Sequence, residues 1–183
     1  MGKKGEEKMI YTPFNTEDGY GIMDTNLIHD SFKFGKNLKI GAFCIIEEDV
    51  IVGENVEIQN YVLLKKGTRI GDNCYVDSYV RSSGDNIIGN NVTLRFGSTI
   101  ARQVFIEDDV FISPNVMTVY SLPDGSKSSG TYIKKGAFIG TAAVIGPSVL
   151  IEQNVVIGTN SFVNKDCLVE GGVYAGVPAK KIR

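Results

Sequence analysis

The sequence predicts an all-β fold, a parallel β-helix of about eight coils with one loop extruded near residues 119–132. Three observations predict it. An aliphatic residue recurs every six positions, an apolar or small residue precedes it by two, and a turn-forming residue follows it by three.

The six-residue series starts at Ile28 and runs through Phe34, Ile40, Ile46, Val52, Ile58, Leu64, Ile70, Val76, Ser82, Ile88, Leu94, Ile100, Ile106 and Ile112 to Thr118. Only Ser82 and Thr118 are polar. The period restarts at Ile133 and continues through Ile139, Ile145, Ile151, Ile157, Val163 and Val169. Two positions ahead stand Val50, Val56, Val62, Thr68, Val80, Val92, Val104, Val110, Val116, Ala137, Ala143, Val149 and Val155. Residues two apart share a face of a strand, so each hexad is a short strand with two inward side chains.

Asn37, Asp49, Asn55, Asn73, Asn91, Asp109, Asn115, Asn154, Asn160 and Asp166 follow by three, with Gly67, Gly136 and Gly172 in the same slot. These residue types tolerate the left-handed backbone of a corner. A strand of about four residues and a turn of about two exclude an α-helix, and no 3.6-residue period is sustained anywhere. Three hexads close a triangular coil of about 18 residues, and such coils stack at the ordinary strand separation of roughly 4.8 Å.

The 183 residues suit one domain. We assign residues 1–20 to an N-terminal tail, partly disordered, and 21–183 to the β-helix domain. The 19 basic and 21 acidic residues are interspersed, which argues against a nucleic-acid partner. No apolar run reaches the roughly 20 residues that span a bilayer, and Met1 to Glu6 lack the apolar core of a signal peptide. A myristoylated Gly2 would want Ser or Thr where Glu6 stands. The expectation is a cytoplasmic protein without membrane partners.

Cys44, Cys74 and Cys167 fall two positions before Ile46, Val76 and Val169, which makes them core residues rather than nucleophiles or metal ligands. Their separations are not multiples of 18, so no disulfide is expected.

After Thr118 the next inward residue is due at position 124 but arrives at Ile133, so about nine extra residues leave the helix. Long excursions from a rigid scaffold usually carry function, and a tolerated surface insertion is the competing reading.

The run Ile106 to Val116, the loop, and then Gly136-Ala137-Phe138-Ile139-Gly140-Thr141 resemble the hexapeptide-repeat acyltransferases, in particular the acetyltransferases that act on sugars. The ending Val173-Tyr174-Ala175-Gly176-Val177-Pro178-Ala179-Lys180-Lys181-Ile182-Arg183 is similar to that family's closing signature. The resemblance spans residues 27 to 183 and implies a left-handed coil, against the usual crossover rule. It further implies a homotrimer with acyl-CoA in a cleft between neighbouring subunits, and a loop that touches the adjacent subunit.

Many relatives in that family carry a histidine on or near the loop as base. Here the only histidine is His29, before the first complete coil. A hydroxyl acceptor benefits strongly from a base, whereas a neutral amine attacks unaided and loses its proton afterwards. The expectation is therefore an acetyl-CoA-dependent N-acetyltransferase acting on a nucleotide-linked amino sugar. Its alternatives are a sugar or antibiotic O-acetyltransferase and a non-catalytic β-helix for assembly.

Asp124, the carboxylate of the loop, is the candidate base or amine-orienting group, set against a plain Pro-Asp-Gly turn. Stacking by 18 places Arg102 one coil below Tyr120 at the loop root, and Asp77 one coil from Arg95 as an outward ion pair. Arg95, Arg102 and Tyr120 are the candidate acceptor-binding residues. If 27 residues cover the coil with its insert, the column of Asp77 and Arg95 continues through Ser113, Gly140 and Gly158 as a groove. Gly140-Thr141-Ala142 and Gly158-Thr159 expose backbone to an extended ligand, where the resemblance places pantetheine. Lys165, Lys180 and Arg183 would meet the CoA phosphates, as against a merely solvated basic end. No metal site is expected: the zinc-dependent carbonic anhydrases on this scaffold need three histidines, and this chain has one.

Overall fold

A computed structural model describes residues 25–121, 124–125 and 129–183. The tail and the Gly2 reading lie outside these residues, as do the first positions of the domain assigned from residue 21.

The aliphatic period becomes three parallel sheets that form the faces of a β-helix of about eight coils. Face I holds eight strands, from Leu27–Ile28 to Phe162–Val163. Face II holds seven, from Lys33–Phe34 to Leu150–Ile151. Face III starts at Lys39–Ile40, reaches Val156–Ile157, and ends in Val173–Gly176 and Ala179–Lys181, nine strands in all. Strands three apart in sequence pair at an offset of 18 residues, as in Leu94↔Ile112. Across the insertion the offset is 27, as in Ile112↔Ile139, so the nine extra residues leave the stack undisturbed.

Most strands are two residues long rather than about four, because the corner takes the rest of each hexad. From Asn37 to Asn160, the residue three after each inward position has φ between 50° and 73°, whatever its type, except where the insertion leaves. Phe43, Tyr61, Tyr79, Gln103, Ala142 and Ser148 all take this conformation. For bulky L residues it costs of order 1 kcal/mol each, which the repeated packing on both sides overcomes.

From Ile40 to Val163 the inward series is buried, Ser82 and Thr118 included, while Ile28 and Phe34 in the first coil are partly exposed. At the corner between faces II and III, amide side chains form a ladder from Asn37 through Asn55, Asn73 and Asn91 to the carboxylate of Asp109. Lys135 meets that carboxylate at 3.3 Å. On the same corner Lys134 bonds Glu107 at 2.8 Å, which holds the Glu107 carboxyl below its ordinary range.

The last coil departs from the period. Val169 is 45% exposed rather than inward; Cys167 bridges to Ile151 and Tyr174 pairs with Ile157 instead. Cys167 therefore holds an inward position of its own, not the slot before one. Asp166 and Gly172 do not adopt the left-handed conformation, and Gly171 does. The offsets shrink here because the closing hairpin, Val173–Gly176 against Ala179–Lys181, is antiparallel and pulls the chain out of the coil path.

The three cysteines are buried and unpaired. Burial lifts the Cys44 thiol above its ordinary value and pushes Cys74 and Cys167 up to about 11. In the unfolded chain these thiols ionise from about pH 9, while in the folded state Cys74 and Cys167 hold their protons to about pH 11. The folded state then binds more protons than the unfolded one, so their contribution to stability is complete below pH 9 and lost as the pH rises towards 11. The urea midpoint should fall across that window, and the fall should be smaller in Cys74→Val.

Candidate functional site

Outward residues inherit the register of the inward ones, so each forms a column along the stack. At the corner between faces III and I the column is Asp77, Arg95, Ser113, Gly140, Gly158 and then Ala175. Arg95 Nε donates to Asp77 Oδ2 at 3.1 Å, the ion pair expected from the 18-residue spacing. Asp77 also accepts from the Ser78 amide at 2.8 Å, which fixes the carboxylate and, through it, the guanidinium. One coil further, Ser113 is buried. Tyr75, on face III beside this corner, has its phenol held above the ordinary value by burial and then by the Asp77 and Glu57 carboxylates.

Gly140 is buried, and its smallness has a packing cause independent of any ligand. A Cβ there would lie 2.6 Å from Ile157 O and 2.7 Å from Thr159 N of the next coil. A Cβ on Gly158 would meet that of Ala175 at 2.9 Å. Thr141 and Ala142 turn outward, with Ala142 in the left-handed conformation and its amide on Pro114 O at 3.0 Å. Thr159 is exposed beside them. Ala175 pairs with Lys180, so Lys180 stands at the end of this same column, and Arg183 closes the chain beside Val173.

Lys165 falls elsewhere. It follows the last strand of face I and precedes Cys167 on face II, at the I–II corner. That corner also bears Asp85, Arg102, Tyr120 and the insertion. Arg102 Nη1 meets Asp85 Oδ2 at 3.2 Å, one coil towards the N-terminus. Tyr120 is half-buried and packs against the core. Asp124 lies in an exposed turn with Gly125 at φ 80°, the geometry of the simple turn reading. The candidate residues thus divide between two corners. Arg95, Gly140, Thr141, Ala142, Gly158, Thr159 and Lys180 share one; Arg102, Tyr120, Asp124 and Lys165 share the other. Between them lies face I, roughly 13 Å across for about four extended residues. Its outward side here is apolar, with Met117, Val144 and Phe162.

His29 is exposed and bonds Ser31 at 2.9 Å. It stands on the insertion's own corner but five coils away, about 24 Å along the stack. Among the described residues no group of three His, Cys, Asp or Glu could hold a metal, and no helix is long and apolar enough to cross a membrane.

Sequence reasoning missed an aromatic row on the III–I corner. Phe43, Tyr61 and Tyr79 stack with centroids 5.1 and 4.9 Å apart, and Phe96 meets Tyr79 edge-on. Their place three residues after Ile40, Ile58 and Val76 was the available signal. That signal is weak because aromatic residues are not the types that favour a left-handed corner.

The coils and the insertion define a left-handed β-helix of the hexapeptide-repeat kind. Residues 22–122, more than half the chain, match the family model of the GMPPB C-terminal domain, and residues 131–165 match the hexapeptide repeat of succinyl-transferase. The chain belongs to the family of the GMPPB C-terminal domain. No curated protein matches it. Among solved structures, UDP-N-acetylglucosamine O-acyltransferase (LpxA) from Moraxella catarrhalis RH4 is 21% identical, over 87% of this chain and 72% of its own, with a TM-score of 0.63. The PglB acetyltransferase domain from Neisseria gonorrhoeae FA1090, in complex with acetyl coenzyme A, is 17% identical over 86% of this chain and 58% of its own, with a TM-score of 0.51. A truncated serine acetyltransferase apoenzyme is 25% identical over 56% of this chain and 43% of its own, with a TM-score of 0.51.

Gly140→Ala tests whether coil packing, rather than a ligand, demands the glycine. The variant should lose about 1–3 kcal/mol in ligand-free denaturation, the usual cost of overpacking.

Proposed function

We propose that the chain is an acetyl-CoA-dependent acyltransferase whose acceptor is the amine of a nucleotide-linked amino sugar. The carrying observation is the III–I corner, where small residues from Gly140 to Ala175 run from an oriented Arg95 to Lys180. An extended pantetheine arm fits along such a corner, with Lys180 and Arg183 beside the CoA phosphates. Acetyl-CoA supplies the acyl group, and the acceptor nitrogen attacks the thioester carbonyl, expelling the CoA thiolate. The amine loses its proton after attack, so no strong protein base is needed.

Support for an amine over a hydroxyl comes from His29, whose distance along the stack keeps it from an acceptor at the insertion. The two corners of one chain are separated by an apolar face. A homotrimer, in which the insertion of one subunit reaches over face I to the Gly140 corner of its neighbour, would unite them. Arg102, Tyr120, Asp124 and Lys165 would then act on the neighbour's ligand. A β-helix serving assembly alone is the second reading, favoured by the match of residues 22–122 to a domain named only for its place in a longer protein.

Thiol release from acetyl-CoA should be detected with UDP- or dTDP-linked amino sugars, and faster than with the corresponding hydroxyl sugars. Absence of turnover and of CoA binding by a stable oligomer would leave the assembly reading. Lys180→Ala should raise the KM for acetyl-CoA roughly five- to tenfold, as loss of one charge-assisted contact does, with the acceptor KM within about twofold.

A further inference from the structure

The interior of the β-helix is mostly aliphatic, and several of its buried polar side chains lie on one connected line. Thr68, Ser82, Asn86 and Thr118 are buried, and each takes a place that other coils fill with valine, leucine or isoleucine. They are joined to one another. Asn86 Nδ2 donates to Ala101 O, which turns its Oδ1 towards Ser82. Ser82 donates to that oxygen, accepts from the Gly84 amide at 3.2 Å, and stands within hydrogen-bond distance of the Thr68 hydroxyl. The Ala101 amide then donates to Thr118 Oγ1 at 2.6 Å, and Thr118 Oγ1 donates to Thr99 O at 3.2 Å. The line ends there, on the last strand residue before the insertion.

That final bond breaks the rule of the ladder. At the equivalent position on most other coils of this face the amide bonds the strand carbonyl one coil on, as in Glu47 N to Leu64 O at 2.9 Å and Ser83 N to Ile100 O at 2.8 Å. Ala101 bonds the Thr118 hydroxyl instead. The strand pairing shortens accordingly, with Thr99↔Met117 alone where the preceding pair has both Arg81↔Thr99 and Ser82↔Ile100. The side chain thus stands in for its own carbonyl, and the main chain can turn outward without leaving the Ala101 amide buried and unsatisfied. Re-entry is built alike. Thr131 is buried, with its amide on Gln103 O at 3.2 Å and its hydroxyl on Gly146 O at 3.3 Å, and Phe105 stacks on Tyr132 beside it.

We propose that Thr118, at the end of the line Thr68–Ser82–Asn86–Ala101, is a positioning residue that sets the direction in which the insertion leaves the β-helix. It thereby fixes where Tyr120 stands for the acceptor. The acceptor half of this inference rests on the acyltransferase reading; the structural half does not. A valine at 118 keeps the shape but offers no hydroxyl, so the Ala101 amide must take back the main-chain carbonyl and redirect the exit.

The test uses the full chain and hydrogen exchange over residues 119–130, which needs no turnover. Thr118→Val should speed exchange there about tenfold, the effect of losing one net hydrogen bond, while Thr118→Ser restores the wild-type rate. In the thiol-release assay Thr118→Val should raise the acceptor KM several-fold and leave the acetyl-CoA KM within about twofold. Asn86→Val, which cuts the line one coil lower, should accelerate the same segment and serves if Thr118→Val does not fold. Wild-type exchange in the Val variants, or a Ser variant that behaves like Val, would overturn the proposal. Inactive wild-type protein with the predicted exchange pattern would instead count against the acyltransferase reading.

Discussion

The stacking register governs the molecule. Most strands contribute only two paired residues, so no such strand could hold its place alone; the parallel hydrogen bonds and the inward aliphatic columns do so together, coil upon coil. A one-residue slip would move an inward isoleucine to solvent and break the ladder at once. This is why corners accept aromatic residues at positive φ, and why Gly140 is needed where the next coil passes close.

The same register turns sequence spacing into surface geometry. Arg95 meets Asp77 because they are 18 apart, and Gly140 lies above Ser113 because 27 residues cover the coil with its insert. A functional surface on such a scaffold is a set of columns, each able to change its chemistry from one coil to the next. The III–I corner does so: the Asp77–Arg95 ion pair gives way to Ser113, Gly140 and Gly158, and in a second column the rings of Phe43, Tyr61 and Tyr79 give way to Gly97.

The proposed chemistry follows from the separation of its parts. A charged pair at one corner, a loop at the next and an apolar face between them leave a single chain with half-sites. With His29 five coils from the insertion, deprotonation falls to the acceptor and to solvent, which favours an amine. The buried polar line ending at Thr118 adds a reason for the insertion to leave at one defined angle, since leaving a polar group unbonded inside an aliphatic core costs free energy.

The sequence by itself determined the β-helix, its coil count, the place of the insertion, the burial of the cysteines and the Asp77–Arg95 pair. All of these follow from a strict period, and a period is local information repeated. Where the period ends, legibility ends: Val169, Asp166 and Gly172 were misplaced because the antiparallel hairpin shortens the last coil by tertiary pairing. Lys165 shared a basic character with Lys180, yet only the fold shows them on different corners. The roles of Ser82 and Thr118 were likewise closed to a linear reading, which marked them as exceptions to an aliphatic series. Their hydrogen bonds join residues 14 to 19 positions apart, or span the interior of a coil, and such partners exist only once the coils have stacked.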